Sequence, residues 1–575
     1  MNQINIDLTP SGKSINVTGS MSGLRDLEET TTTYATWKER ILRLPASRLA
    51  YDGLIETWQL HWKNEYEVVV SPSAKELFAK LKKKSAEAKE ILKLKAQNAV
   101  TVDDYEFGGE FPPWDHQIKC FGLAKGRPAF GFFMEMGTGK SRVIIDEAAY
   151  LYENDLIDLC LVIAYPSGVP AQWIEEAVPT HIPERIKYKP WVRRPGKKIP
   201  EEIFEPCKEL KFYAINVESL QVQSGKDLIE KILKSIPNKR VLLVFDESTT
   251  LKNSQSKRSK FAFTLIQYAN YRRILTGCPI SQGLHDLYSQ FKLLDVDIIG
   301  ATSLTGFRNR YCKMGRIEYR EIIGYKNVSE LMERVHGYTY RVRKSECMDL
   351  PPKVFINVPI ELTPEQAKYY KQMKNDLFIA LENGEIIDGA MGVARVLRLQ
   401  QIVCGHLPDI KNEKTVGWTP IKNHRLDRVK HILKSVDGKT IISSRFSADI
   451  TQMKLMLGDE AVEYSGKVGQ SGKEEAKYLF KNDPYVKYLI GQTQAISHGL
   501  DMPYANNMIS YARDYSFERW KQIQDRIHRG GQTKQCNYYI FLTPNSVDIL
   551  IDDVLRKKYN FQKKCLDEEY LKKFL

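Results

Sequence analysis

A glycine turn ending at Lys140 constrains this chain more than any other feature. The run Met134-Glu135-Met136-Gly137-Thr138-Gly139-Lys140-Ser141 follows an apolar stretch ending in Phe132-Phe133 and leads into Arg142-Val143-Ile144-Ile145. Strand, glycine turn, lysine, hydroxyl and helix, in that order, form the phosphate-gripping unit of a P-loop. Gly137 and Gly139 let the backbone approach a phosphate closely, with Thr138 between them. Lys140 supplies a compact positive charge, and the Ser141 hydroxyl is a candidate Mg²⁺ ligand. Downstream, Val241-Leu242-Leu243-Val244-Phe245 reads as a buried strand ending in Asp246-Glu247. Asp246 is the expected partner of the same Mg²⁺, and Glu247 the expected general base toward water. Together the two strings imply ATP-type nucleotide binding with Mg²⁺. Met134 stands where the usual pattern has a further glycine.

The bulk properties permit a multidomain chain with well-filled cores. The chain has 575 residues, of which 42% are hydrophobic, enough for about three or four domains. No apolar run approaches the roughly 20 residues of a membrane span, and the first residues lack a basic-then-apolar leader. Nine cysteines without a Cys-x-x-Cys pair argue against disulfides and structural zinc and for a reducing compartment. The expected location is therefore cytoplasmic. Net charge of +14 and a pI of about 9.0 favour a polyanionic partner, nucleic acid first.

Apolar strands alternate with helical stretches twice along the chain. Strands are expected at 130–133, 159–164, 212–215, 241–245 and 273–276, then at 440–443, 461–464, 488–491, 507–511 and 537–541. Such alternation predicts α/β units, each a mostly parallel sheet between helices. The middle, 291–424, reads as mainly helical. Residues 1–104 form a separate accessory region with an aromatic block from Trp37 to Trp62, including Leu44-Pro45 and Trp58, and a helix over 74–97. That helix is rich in lysine: a nucleic-acid contact is one reading and a solvated face the other.

The string Gln522-Ile523-Gln524-Asp525-Arg526-Ile527-His528-Arg529-Gly530-Gly531-Gln532 is the second landmark. On a helix, Gln522, Arg526 and Arg529 would share one face. Arginine suits the charge spread over a transferring phosphoryl group, so an arginine finger from the second unit is expected.

With these strings in hand, the chain resembles superfamily 2 helicase-like ATPases, and among them the Snf2 family, over residues 105–545. Asp115-His116-Gln117 resembles the Q motif, which would make Gln117 the adenine reader. Met134 to Ser141 is similar to motif I, Ala164-Tyr165-Pro166-Ser167 with Gln172-Trp173 to motif Ia, and Asn216 to Leu220 to motif Ib. Asp246 to Thr249 fills motif II. Leu275-Thr276-Gly277-Cys278-Pro279-Ile280 closely matches motif III, making Thr276 and Gly277 coupling residues. Thr440 to Phe446 corresponds to motif IV, Ser497-His498-Gly499-Leu500-Asp501 to motif V and Gln522 to Gln532 to motif VI.

The resemblance implies two tandem RecA-like parallel-sheet lobes, 105–290 and 425–550, with a helical Snf2-type insertion region at 291–424, a small N-terminal accessory domain at 1–104 and a helical tail at 551–575. It implies ATP and Mg²⁺ as cofactors, Gly499 and Asp501 at the nucleotide, and double-stranded or forked DNA as partner to a monomer. Ser167, Asn216, Lys252, Ser444 and Thr493 become the nucleic-acid candidates. Compactness suggests a phage or bacterial enzyme acting in a bacterial cytoplasm. Two departures stand out: Ser248-Thr249 replaces the family's common Ala-His in motif II, and Asp501 replaces a common asparagine in motif V. Competing readings are a strand-separating DNA or RNA helicase and a nucleic-acid scaffold with a degenerate site. The intact Lys140, Asp246, Glu247 and Arg529 oppose the scaffold.

Overall fold

The computed structural model describes residues 2–30, 35–38, 41–165, 168–194, 196–315, 322–382, 389–411, 414–497 and 501–566. The chain divides into two compact units, Met1–Arg343 with Gln562–Leu575, and Lys344–Phe561.

The first unit begins with a sheet that no apolar run announces. Its strands are β1 (Asn2–Leu8), β2 (Ser14–Thr18), β3 (Thr36–Lys38), β4 (Ile41–Pro45) and β5 (Tyr66–Val70), in the order β3-β4-β2-β1-β5. β1 pairs antiparallel with β2 and parallel with β5. Period-two alternation turns Ile4 and Ile6, Ile15 and Val17, and Leu42 and Leu44 into one core with Leu24, Leu27, Leu54 and Trp62. The expected lysine-rich helix is present as Pro72–Gln97. Ser71 caps it by accepting from Ala74 N at 3.3 Å, Pro72 occupies the first turn, and Asn98 closes it in the left-handed conformation (φ 49°).

The larger sheet of this unit contains β6 (Ala129–Met134), β7 (Leu159–Ala164), β8 (Tyr188–Val192), β9 (Leu210–Asn216), β10 (Val241–Phe245) and β11 (Tyr271–Leu275). A hairpin of β12 (Cys312–Met314) and β13 (Ile322–Tyr325) precedes β14 (Thr339–Val342), which returns to the sheet edge. The order is β14-β6-β11-β10-β7-β9-β8, with every pairing parallel. All five expected strands are here. The two edge strands were not expected: β8 carries Lys189 and Pro190, a composition tolerated only at an edge.

The second unit repeats the design. β15 (Lys353–Pro359) is followed by a hairpin of β16 (His406–Lys411) and β17 (Lys414–Pro420), then by β18 (Lys439–Ser444), β19 (Ala461–Tyr464), β20 (Tyr488–Gln492), β21 (Ala505–Ser510) and β22 (Cys536–Leu542). Its sheet runs β15-β22-β21-β18-β20-β19, again wholly parallel. Apolar clusters cover both faces, which explains why these strands read as apolar runs. Among its described residues the stretch 291–424 holds six complete helices, but it also contributes β14 to one lobe's sheet and β15 to the other's. Among the described residues, no helix is long and apolar enough to cross a membrane.

Arg425 anchors the second unit's core. It is 1% exposed, pairs with Asp548, and donates to Tyr511 O and, at 3.1 Å, to Thr543 Oγ1. Asp548 in turn accepts from Thr543 N at 3.1 Å. Removing one member of such a pair leaves the other charged and desolvated. Asp548→Asn should therefore destabilise the protein by about 3–5 kcal/mol, read as a lower urea midpoint by circular dichroism. An unchanged midpoint would remove the pair from this role.

Candidate functional site

The first sheet delivers its chemistry from the carboxyl ends of its strands. β6, buried at every residue, hands the chain to the turn that precedes the helix Lys140–Glu153. Gly137 (φ 80°) and Gly139 (φ 83°) both take the left-handed conformation. A Cβ on Gly139 would lie 2.0 Å from Gln117 Nε2, so this position demands glycine twice over. Thr138 is fully buried and donates its hydroxyl to Glu135 O at 2.8 Å. Its own carbonyl accepts from Gln117 Nε2 at 3.3 Å and lies 2.8 Å from His116 Nε2. Gln117 Oε1 accepts from Trp114 N at 2.9 Å. The expected adenine reader thus braces the phosphate turn at one end and caps its own helix at the other. Burial lowers the pKa of His116, favouring a neutral ring that donates from Nε2.

Lys140 folds back over the turn, with Nζ 3.1 Å from Met134 O and 4.0 Å from Glu247 Oε1. Asp246 follows the buried β10 directly. Its Oδ2 accepts from Trp173 Nε1 at 2.9 Å and its Oδ1 from Glu247 N at 3.0 Å. Burial raises the Asp246 pKa, opposed by the Lys140 charge and these two hydrogen bonds. Ser141 and Asp246 line one cavity of about 310 Å³ with Gln172, Trp173, Glu176 and His181. A hydroxyl and a carboxylate sharing one cavity suit a hard cation that keeps most of its water. The residues present therefore fit Mg²⁺.

Glu247 sits in the left-handed region (φ 47°, ψ 58°), a strained conformation for a non-glycine residue. Its Oε2 is 3.5 Å from the Thr276 hydroxyl, which itself accepts from Cys278 N at 3.1 Å. A Cβ on Gly277 would come 3.3 Å from Met134 O. The two expected coupling residues therefore touch the carboxylate and the phosphate turn respectively. Ser248 occupies one of the two positions where motif II departs from the family pattern. It donates to Gln290 Oε1 at 2.9 Å, and Gln290 Nε2 donates to Pro279 O at 2.7 Å. Motif II is thus linked to the end of motif III by a buried hydroxyl–amide relay.

Two buried arginines hold these parts in place. Arg273 of β11 and Glu147 of the helix Lys140–Glu153 are both fully buried and paired, with Nε to Oε2 at 2.9 Å. Arg273 also donates to Ala124 O and Arg127 O at 3.1 and 2.8 Å, fixing the end of the helix that carries Gln117. Arg142 pairs with Asp146 at 2.6 Å and donates to Phe111 O and Gly108 O. Sequence reasoning missed Trp173 on Asp246, Gln290 and the Arg273–Glu147 pair. Each joins residues far apart in the chain; only the polar Arg273 within an apolar strand was a visible signal.

In the second unit the shared helical face of Gln522, Arg526 and Arg529 needs correction. The helix ends at Gln524, leaving both arginines beyond it. Asp525 N is shared between Lys521 O and Gln522 O, Arg526 N donates three residues back to Ile523 O at 3.2 Å, and Arg526 O accepts from Met502 N at 3.0 Å. Asp525 is buried between Lys344 and Lys353, at 3.0 and 3.1 Å. Burial would push its carboxyl up, but the two ammonium groups hold it well below the ordinary carboxylate range. These bonds stop the helix and pin the turn.

Arg526 is 3% exposed and donates to Ser497 O at 2.8 Å. Asp501 pairs with Arg529 and lies 3.7 Å from Arg526. Asp501, Arg526 and Arg529 therefore form one cluster. Burial lowers the Arg529 pKa. Gln522 is buried, and its Oε1 has no partner among the described residues. Gly499 lies outside the described residues, as does Ser167.

Of the other nucleic-acid candidates, Asn216, Lys252 and Ser444 have local partners. Asn216 Oδ1 caps Glu218 N at 2.8 Å. Lys252 Nζ donates to Ser281 Oγ at 2.6 Å. Ser444 is fully buried and donates to Asp449. Thr493, 6% exposed, has a hydroxyl without a partner among the described residues. Ser444 ends β18 and Thr493 follows the adjacent β20, so both stand at the carboxyl edge of the second sheet.

With this geometry established, comparison with known proteins places the chain. Residues 125–406 match the SNF2-related domain, and residues 423–531 match the helicase conserved C-terminal domain. The chain is 25% identical over 456 residues to the transcription regulatory protein SNF2 of Saccharomyces cerevisiae, covering 75% of this chain and 26% of that protein. It is 24% identical over 442 residues to the DNA annealing helicase and endonuclease ZRANB3 of Mus musculus, covering 74% and 38% respectively. The chain thus spans between about a quarter and two fifths of the length of these relatives. Among solved structures, the Sulfolobus solfataricus SWI2/SNF2 ATPase core in complex with dsDNA shares 20% identity, with 82% of this chain and 98% of that one covered and a TM-score of 0.36.

The Trp173 indole donates a side-chain hydrogen bond to Asp246. Trp173→Phe keeps the ring and removes the donor. Loss of an outer-shell hydrogen bond costs about tenfold or more in metal affinity, so the half-saturating Mg²⁺ concentration for binding a fluorescent ATP analogue should rise by about that factor. The same Mg²⁺ requirement in the variant would show that the indole does not position Asp246.

Proposed function

Because this chain belongs to the Snf2 family of superfamily 2 ATPases, we propose that it is a DNA-dependent ATPase that couples hydrolysis to translocation along, or remodelling of, double-stranded or forked DNA. One observation carries the reading. The phosphate turn, Lys140, Asp246-Glu247 and Thr276-Gly277 meet at the carboxyl end of one parallel sheet, within contact distance of one another.

The residues divide the work as follows. Backbone N–H groups of residues 137–141 and the Lys140 ammonium bind the β- and γ-phosphates. Phosphate binding draws Lys140 away from Met134 O and from Glu247, leaving that carboxylate to accept a proton from the attacking water. Ser141 and, through water, Asp246 would hold a Mg²⁺ ion, which would supply neutralisation of the charge on the phosphate oxygens. Thr276 and the Ser248–Gln290 relay carry changes around Glu247 into the segment that follows β11. Arg526 and Arg529 act on the transferring phosphoryl group, so Arg529 must leave Asp501 for hydrolysis to proceed. DNA contacts fall to the loops at the strand ends, where backbone N–H groups and small polar residues grip phosphates without reading sequence.

Steady-state ATP hydrolysis, measured without nucleic acid and with duplex, forked, single-stranded DNA or RNA, tests this reading. Strong stimulation by duplex or forks supports it, whereas stimulation only by single strands or RNA would make the protein a helicase of another kind. Lys140→Ala, Glu247→Gln and Arg529→Ala should each reduce kcat by about 10²-fold or more. Glu247→Gln should still bind ATP; loss of binding in that variant would refute the general-base assignment.

A further inference from the structure

The helix Pro72–Gln97 carries eight lysines and three glutamates. Two lysines fasten it to the ATPase lobe of its own unit. Lys84 pairs with Asp295 and, at 2.7 Å, with Asp297. Lys95 Nζ donates to His336 O at 2.7 Å and to Thr339 O. Tyr338 donates its hydroxyl to Lys84 O at 2.7 Å, and Gly337 packs so closely on Ala88 that a Cβ there would approach to 2.8 Å. These contacts lie at the start of β14, whose neighbour β6 carries the phosphate turn. The helix is therefore a strut fixed to the body that holds the ATP site.

Its outer side is regular. Steps of four and three residues run through Lys75, Ala79, Lys82, Ala86, Lys89, Lys93 and Ala96, and all seven are exposed. This spacing puts them on one stripe, about 27 Å long from Lys75 to Lys93 at the helical rise. Glu76, Glu87 and Glu90 all stand off the stripe. Among the described residues, none of its four lysines makes an ion pair. An ordinary solvated face intersperses both signs and gains from Glu–Lys pairs one turn apart; here Lys89 and Lys93 repel each other at that spacing. The alanines between the lysines let a thick rod come close to the helix.

We propose that this stripe is a second nucleic-acid contact, which grips the phosphate backbone of duplex DNA outside the ATPase motifs. It rests on the DNA-dependent activity proposed above and adds a named surface to it. A rigid row of cations about 27 Å long follows most of one duplex turn, which is about 34 Å. It carries charge without base-reading groups, so it contributes affinity and salt dependence but no sequence preference. Because the strut is fixed to the first lobe, it would hold that lobe on the duplex while the strand-end loops change their grip.

The test compares the wild type with the variant Lys75→Gln, Lys82→Gln, Lys89→Gln, Lys93→Gln, and with the off-stripe control Lys80→Gln, Lys83→Gln. Duplex affinity is measured between 50 and 200 mM salt in the full-length protein. Losing four phosphate contacts should make the slope of log affinity against log salt shallower by about 3 to 4, with kcat for ATP at saturating duplex unchanged. The control should change the slope by less than about 1. An unchanged slope in the quadruple variant would overturn the proposal, as would a control whose effect per lysine is the same. Unchanged duplex binding with lost retention on polyglutamate would overturn it in favour of an acidic protein partner. Stimulation of the wild type by duplex tests the proposed function separately, so the two readings can fail independently.

Discussion

Parallel strand pairing is the constraint on which this molecule depends. Strands that run the same way cannot be joined by tight hairpins, so each return crosses a face of the sheet. All the exits then open along one edge. Met134, Asn216, Phe245 and Leu275 each end a strand of the first sheet, and the phosphate turn, the Asn216 cap, Asp246 and Thr276 follow at that edge. The strands behind them are buried apolar rods: β6, β7 and β10 are buried at every position. Groups placed on such a frame have little room to move, which suits a site that gathers a lysine, a hydroxyl and two carboxylates at one sheet edge.

Buried charge sets the finer positions. Ion pairs taken out of water add little net stability, since desolvation offsets much of the attraction. They are nevertheless specific, because a misplaced partner leaves a bare charge. Arg273–Glu147 locks the helix after the phosphate turn, the helix bearing Gln117 and β11 into one arrangement. Asp525 does the same in the second unit by tying the end of the helix Phe517–Gln524 to Lys344 and Lys353. The strain at Glu247 fits this picture, since a left-handed non-glycine residue persists only where the surroundings over-determine it.

The legibility of the sequence followed the strength of each local signal. Central strands were readable because burial on both faces makes them continuous apolar runs, and 159–164 and 241–245 coincide with the strands found. The accessory sheet was missed because its strands are half-polar; Ile4-Asn5-Ile6 and Ile15-Asn16-Val17 show only alternation. The edge strands β8 and β15 were missed for the same reason. The helix expected to carry Arg526 failed because the stop comes from Met502 and from two lysines more than 170 residues away, which no local pattern records.

The sequence by itself determined the two α/β lobes and singled out the glycine turn with Lys140 and the carboxylates Asp246 and Glu247. Both are written in contiguous strings: a run of apolar residues makes a strand, and the chemistry sits in the few residues after it. Only the tertiary structure decided which distant groups those residues meet. Trp173 on Asp246, Gln290 between Ser248 and Pro279, Asp501 between two arginines and the outward stripe of the helix Pro72–Gln97 all depend on how separate elements pack. Packing is fixed by shape and buried charge summed over the whole molecule, so a single stretch of chain cannot specify it.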